Sequence, residues 1–163
     1  LHTQRRRQRQ MCIRDSLMAA LAEKKPDLLI NYGTAGAIKT GLADIVEVGQ
    51  SVQCDMDARP LGIALGATPF ETGTERFTLS DSPLICGTAD RFVTSAPELA
   101  CDLVDMELYA LAKIAKREQI PLKSFKFISD SADDSAQQDW KNSLPDSASG
   151  FLSIQDDLLS LCG

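Results

Sequence analysis

The chain has 163 residues, a formal net charge of -6 and 44% hydrophobic residues; this suits one domain with its own core and argues against a nucleic-acid backbone as the main partner. No stretch reaches the roughly 20 apolar residues of a membrane span. The only histidine is His2, so Ser-His-Asp and Cys-His sites are excluded and acid–base chemistry falls to Asp, Glu, Lys, Tyr or Cys.

Residues 1–16, LHTQRRRQRQMCIRDS, hold five of the 17 basic residues and show no helical or strand periodicity. They resemble translated adapter sequence and read as a non-native or disordered segment, leaving a domain over 17–163. A helical run, Leu17 to Lys24, follows and stops at Pro26. DLLINYG is a nearly continuous apolar run, the pattern of a buried strand. GTAGA then places Gly33 and Gly36 where the backbone turns tightly or approaches something closely. IVEVGQSVQC alternates and predicts a second strand. Residues 57–82 read as loop with short strand pieces. PLICGTADRFV predicts another strand ending in a Gly-Thr turn.

CDLVDMELYALAKIAKRE moves from strand into helix. Leu108, Leu111, Ala112 and Ala115 make one apolar face, and the basic last turn suits the helix dipole. Pro121 ends the helix, SFKFISD is the next strand, and AQQDWKNSLPDSASGFLSIQDDLLSL reads as a polar loop followed by an amphipathic helix. The cysteines Cys12, Cys54, Cys86, Cys101 and Cys162 are scattered without a C-x-x-C pair. They read as reduced cytoplasmic thiols, mostly core fillers.

Alternating strands and helices predict an α/β domain around a central, largely parallel or mixed sheet. In such sheets ligands sit at the C-terminal ends of the strands, where YGTAG, GTADRF, DME and SD all fall. Each group also has a plainer reading. Gly33 to Gly36 can be a structural turn, since the Walker lysine is missing. Glu107 can be a first-turn charge and Asp130 a cap. Trp140 and Phe92 are each either a loop anchor or a ligand-stacking ring.

Four motifs together resemble the purine nucleoside phosphorylase/nucleosidase superfamily, in its 5′-methylthioadenosine/S-adenosylhomocysteine nucleosidase branch. They are PDLLINYGTAGA, VQCDMDARPLG, VDMELYALAKIAKREQIP and FKFISDSADD, in the family's order and covering roughly 17–160. The resemblance implies a single three-layer domain that hydrolyses the N-glycosidic bond of a purine nucleoside and releases adenine. It implies that Asp130 is the general acid, positioned by Ser129. Glu107 would hold the ribose hydroxyls and Met106 pack on the sugar. Phe92 would stack on the purine and the Val93 backbone read its edge. Thr34, Ala35 and Gly36 would line the ribose and the attacking water, and Trp140 would cover the 5′-substituent. No cofactor and no metal are implied. The implied partners are the nucleoside and further copies of the chain, a homodimer or larger assembly, with no nucleic acid and no membrane.

The family's first strand and its water-activating glutamate have no match before Leu17, so the domain is expected to lack its N-terminal strands. Arg91 beside Phe92 is unusual for the family. Two alternatives stay open: a phosphorylase, whose phosphate would need cations such as Arg59, Arg76 or Arg91, and an inactive ligand-binding fragment.

Overall fold

The structure, a computed structural model, describes residues 2–69 and 76–161, with the backbone alone at 2–11. Cys162 and residues 70–75, the latter within the expected loop, lie outside the described residues. Strands β1 (Leu29–Ala37), β2 (Ile45–Glu47), β3 (Gln50–Gln53), β4 (Phe77–Thr78), β5 (Ile85–Thr88), β6 (Leu103–Asp105) and β7 (Leu122–Asp130) form one mixed sheet. Their order is β2-β7-β1-β6-β5-β3-β4. Three helices flank it: α1 (His2–Glu23), α2 (Leu108–Glu118) and α3 (Ala136–Ser160). This is the expected α/β class with three layers.

The expected apolar face of α2 is largely the buried one. Leu108, Ala112 and Ala115 pack with Val48, between β2 and β3, and with Phe77, Cys86, Leu103 and Leu122 of the sheet, and α1 lies against α2. Gln119 closes α2 in the left-handed region, with φ 56°, and Pro121 follows. On the other face α3 rests on β1 and β7. The Tyr32 hydroxyl donates to the Ser147 carbonyl at 2.8 Å, and the Tyr32 and Phe151 rings are 5.1 Å apart. Along β7 the buried positions Leu122, Ser124 and Lys126 alternate with partly buried Phe125 and Phe127. No helix among the described residues is long and apolar enough to cross a membrane. Cys54 and Cys86 are buried, Cys101 partly so, and Cys12 is exposed.

Four elements differ from the sequence reading. The helical run at 17–24 belongs to a longer helix that includes the basic string from His2; Arg and Gln are good helix formers even without an apolar stripe. The single strand read over 45–54 is two, β2 beside β7 and β3 beside β5. The chain changes sides at Gly49, where a Cβ would lie 1.6 Å from the Ser82 carbonyl oxygen. The GTAGA segment is no turn, because β1 continues to Ala37. Finally, the polar loop holding Trp140 is the start of α3, which runs through Pro145. A proline removes one helical hydrogen bond, but the packing around Tyr32, Ser147 and Gly150 holds the helix together.

Candidate active site

A cavity of about 350 Å³ opens where the ends of β1, β6 and β7, the loop after β5 and the start of α3 meet. Every site residue expected from the sequence lines it. Thr34, Ala35 and Gly36 come from β1, Phe92 and Val93 from the loop after β5, and Met106 and Glu107 from the junction ahead of α2. Ser129 and Asp130 end β7, and Trp140 comes from α3. A topology that gathers strand C-termini gathers these side chains.

Asp130 reaches the cavity through a register shift. β1 and β7 pair regularly to Ala35↔Ile128, then Gly36 faces Asp130. The extra residue, Ser129 of β7, makes a β-bulge, which re-aims the side chain after it. A Cβ on Gly36 would sit 2.6 Å from Asp130 Oδ1, so glycine here makes room for the carboxylate. The Ser129 hydroxyl donates to Asp130 Oδ2 at 2.7 Å and contacts the Ala35 carbonyl at 3.3 Å. The Ala132 amide donates to Oδ1 at 2.9 Å. Ala132 takes a φ of 48° to do so, a left-handed conformation uncommon for a residue with a Cβ. Both oxygens of Asp130 are therefore fixed in direction.

Glu107 occupies the N-cap position of α2, yet its side chain makes no capping bond. Asp105 caps instead: its Oδ2 accepts from the Leu108 amide at 2.9 Å. Asp105 also accepts from Thr88 Oγ1 at 2.6 Å and from Lys126 Nζ at 2.7 Å. Lys126 is 1% exposed and Asp105 5%. Burial disfavours the Lys126 charge, but Asp105, Cys86 and Glu107 beside it hold its pKa above the usual lysine range. The Glu107 carboxylate thus lies in the field of a buried cation that is not itself part of the cavity wall.

The rim is more open. Trp140 donates from Nε1 to Thr34 Oγ1 at 3.0 Å, joining α3 to β1, while Phe92 is 40% exposed. Arg91 and Gln137 complete this side. Of the cations that a phosphate site would need, Arg59 is tied to Asp57 and Glu98. Arg76 borders a different pocket, and only Arg91 reaches the cavity. Among the described residues no group of three His, Cys, Asp or Glu side chains is placed to hold a metal ion.

No family model matches the chain. It is similar to the 5′-methylthioadenosine/S-adenosylhomocysteine nucleosidase of Actinobacillus succinogenes, 28% identical over 147 residues, with 74% of this chain and 64% of that protein covered. The Buchnera aphidicola protein of the same name is 25% identical over 145 residues, and the chain spans 62% of its length. Among solved structures, futalosine hydrolase of Helicobacter pylori superposes with a TM-score of 0.82 at 19% identity, covering 93% of this chain and 75% of that one. A mutant Helicobacter pylori nucleosidase with 5′-methylthioadenosine in its active site gives the same TM-score and identity, covering 93% and 76%. The chain thus resembles curated methylthioadenosine/S-adenosylhomocysteine nucleosidases over about three quarters of its own length while spanning less than two thirds of theirs, and it shares its fold with the solved structures.

The pair under the site, Asp105 and Lys126, does not show in the sequence. Asp105 stands beside Glu107 in the motif with no pattern that marks it as buried, and Lys126 stands inside an apolar strand. A lysine between two phenylalanines was the available signal, because an exposed edge lysine and a buried paired one look alike without a partner in view. Gln137 was missed with the helix that carries it.

Proposed function

We propose that the cavity hydrolyses the N-glycosidic bond of a purine nucleoside, 5′-methylthioadenosine or S-adenosylhomocysteine, releasing adenine. The observation that carries this reading is Glu107 and Asp130 on one cavity beside Phe92 and Trp140. Cleavage places positive charge on the ribose and negative charge on the leaving base. Asp130, aimed by Ser129 and Ala132, supplies the proton that neutralises the departing purine. Glu107 holds the ribose hydroxyls and favours the cationic sugar, with Met106 against the ring. Phe92 stacks on the base and the Val93 backbone reads its edge. Thr34, Ala35 and Gly36 border the ribose and the water that adds to its anomeric carbon; that water's surplus proton passes to solvent, from which Asp130 regains the one it gave, and Trp140 covers the 5′-substituent.

The same reading takes 17–163 as the nucleosidase-like unit, acting in the cytoplasm as a homodimer or larger assembly. Phosphorolysis is the second reading, and Arg91 on the rim is what favours it. Adenine release from 5′-methylthioadenosine, measured with and without inorganic phosphate, tests the choice. Hydrolysis gives the same rate in both buffers; strict dependence on phosphate would sink it.

A further inference from the structure

The segment from Cys54 to Arg59, CDMDAR, lies outside the cavity wall, yet it grips the loop that carries Phe92. After Ala89, whose amide still bonds to the Asp105 carbonyl at 3.0 Å, the chain leaves the sheet and returns at Asp102, which bonds to Ile85. Among the described residues no backbone–backbone hydrogen bond involves 91–101. The placement of this stretch therefore rests on side chains. At its start the Asp90 amide donates to Asp55 Oδ2 at 2.6 Å. Towards its end Glu98 accepts from both terminal nitrogens of Arg59, at 2.5 and 2.8 Å. Arg59 is itself held by Asp57, from Nε at 2.9 Å and Nη2 at 2.7 Å. A bidentate arginine between two carboxylates fixes direction as well as distance, unlike a single surface ion pair. Between the grips, Val93 is buried with Cys54, Ala89, Val104 and Ala132, while Phe92 stays exposed over the cavity.

We propose that Asp55, Asp57 and Arg59 are positioning residues for base recognition, holding the 89–98 loop so that Phe92 and Val93 face the cavity. The base-recognition half rests on the nucleosidase reading given above; the clamp itself rests on the bonds to Asp90 and Glu98. The Arg59 pKa is raised by Asp57 and Glu98, and that of Asp57 is lowered to about 2 by Arg59, so both charges persist at neutral pH.

Asp55→Ala, Arg59→Met and the conservative Arg59→Lys test this. Amide hydrogen exchange in the unliganded protein reads the clamp, and quenching of Trp140, the only tryptophan, reads dissociation constants for adenine and for 5-methylthioribose. The expected result is exchange at Ala89 and Asp90, whose amides are hydrogen-bonded to Asp105 and Asp55, faster by about tenfold or more in Asp55→Ala and Arg59→Met, with β1 and β7 unchanged. Adenine affinity falls by about tenfold while that for 5-methylthioribose holds, since misplacing one wall penalises only the group it faces. Arg59→Lys lies between Arg59→Met and the parent. Unchanged exchange overturns the clamp. Faster exchange with equal losses for both ligands, or with none, overturns the positioning role. If the parent protein gives no adenine signal, the nucleosidase reading and the base-recognition half fail together, and exchange alone decides the clamp.

Discussion

Asp130→Asn is expected to lower adenine release from 5′-methylthioadenosine by about 10²- to 10⁴-fold, the range for loss of a positioned general acid. Substrate binding should change little. The amide keeps the shape of the carboxylate, and its oxygen still accepts from the Ala132 amide, now 2.9 Å from Oδ1. Its nitrogen would face the Ser129 hydroxyl, which can turn its proton to the Ala35 carbonyl at 3.3 Å. What the variant lacks is a proton to give the departing purine. Steady-state turnover and a separate binding titration divide the two effects. Turnover close to that of the parent removes Asp130 from the acid's role.

Lys126→Met has the second large effect, on stability. Removing the cation leaves the Asp105 carboxylate buried with only the Thr88 hydroxyl and the Leu108 amide as donors. Breaking a buried pair in this way costs about 3–5 kcal/mol. The double variant Lys126→Met/Asp105→Asn should lose less than Lys126→Met alone, because no unpaired charge is left inside. Urea denaturation of the three proteins measures this, and equal losses for the single and double variants would contradict it.

The same pair gives stability a pH dependence of known sign. Lys126 binds its proton more tightly folded than unfolded. The stabilisation is complete below the unfolded lysine value of about 10.4 and is lost as pH rises through the folded value. Cys86, whose pKa burial pushes up, also weakens the fold in alkali in both proteins, although only in the parent does the Lys126 charge offset part of that shift. The denaturation midpoint of the parent should therefore fall more steeply above about pH 10.4 than that of Lys126→Met.

Asp130 and Glu107 were legible because each stands at a junction between elements, and junctions are visible where an apolar run meets a helix or a polar turn. The motifs around them carried the resemblance to the nucleosidases. The split at Gly49 was not legible, since IVEVGQSVQC alternates without a break and only the close approach of Ser82 makes the glycine necessary. The segment around Trp140 reads as loop because Pro145 and the serines near it favour non-helical structure. Contacts from a distant strand, Tyr32 to Ser147 and Trp140 to Thr34, override that preference. The Asp105–Lys126 pair joins residues 21 apart in sequence, and local pattern does not say that a strand lysine points inward.

The central claim is that Glu107 and Asp130 bound one nucleoside site. Titration of Trp140 emission with 5′-methylthioadenosine tests it without requiring turnover, since Trp140 lines the cavity and no second tryptophan contributes. The expected result is a saturable change in the parent, with affinity about tenfold weaker or more in Glu107→Ala, as for lost hydrogen bonds to a charged group. No saturable change, or the same affinity without Glu107, would contradict it.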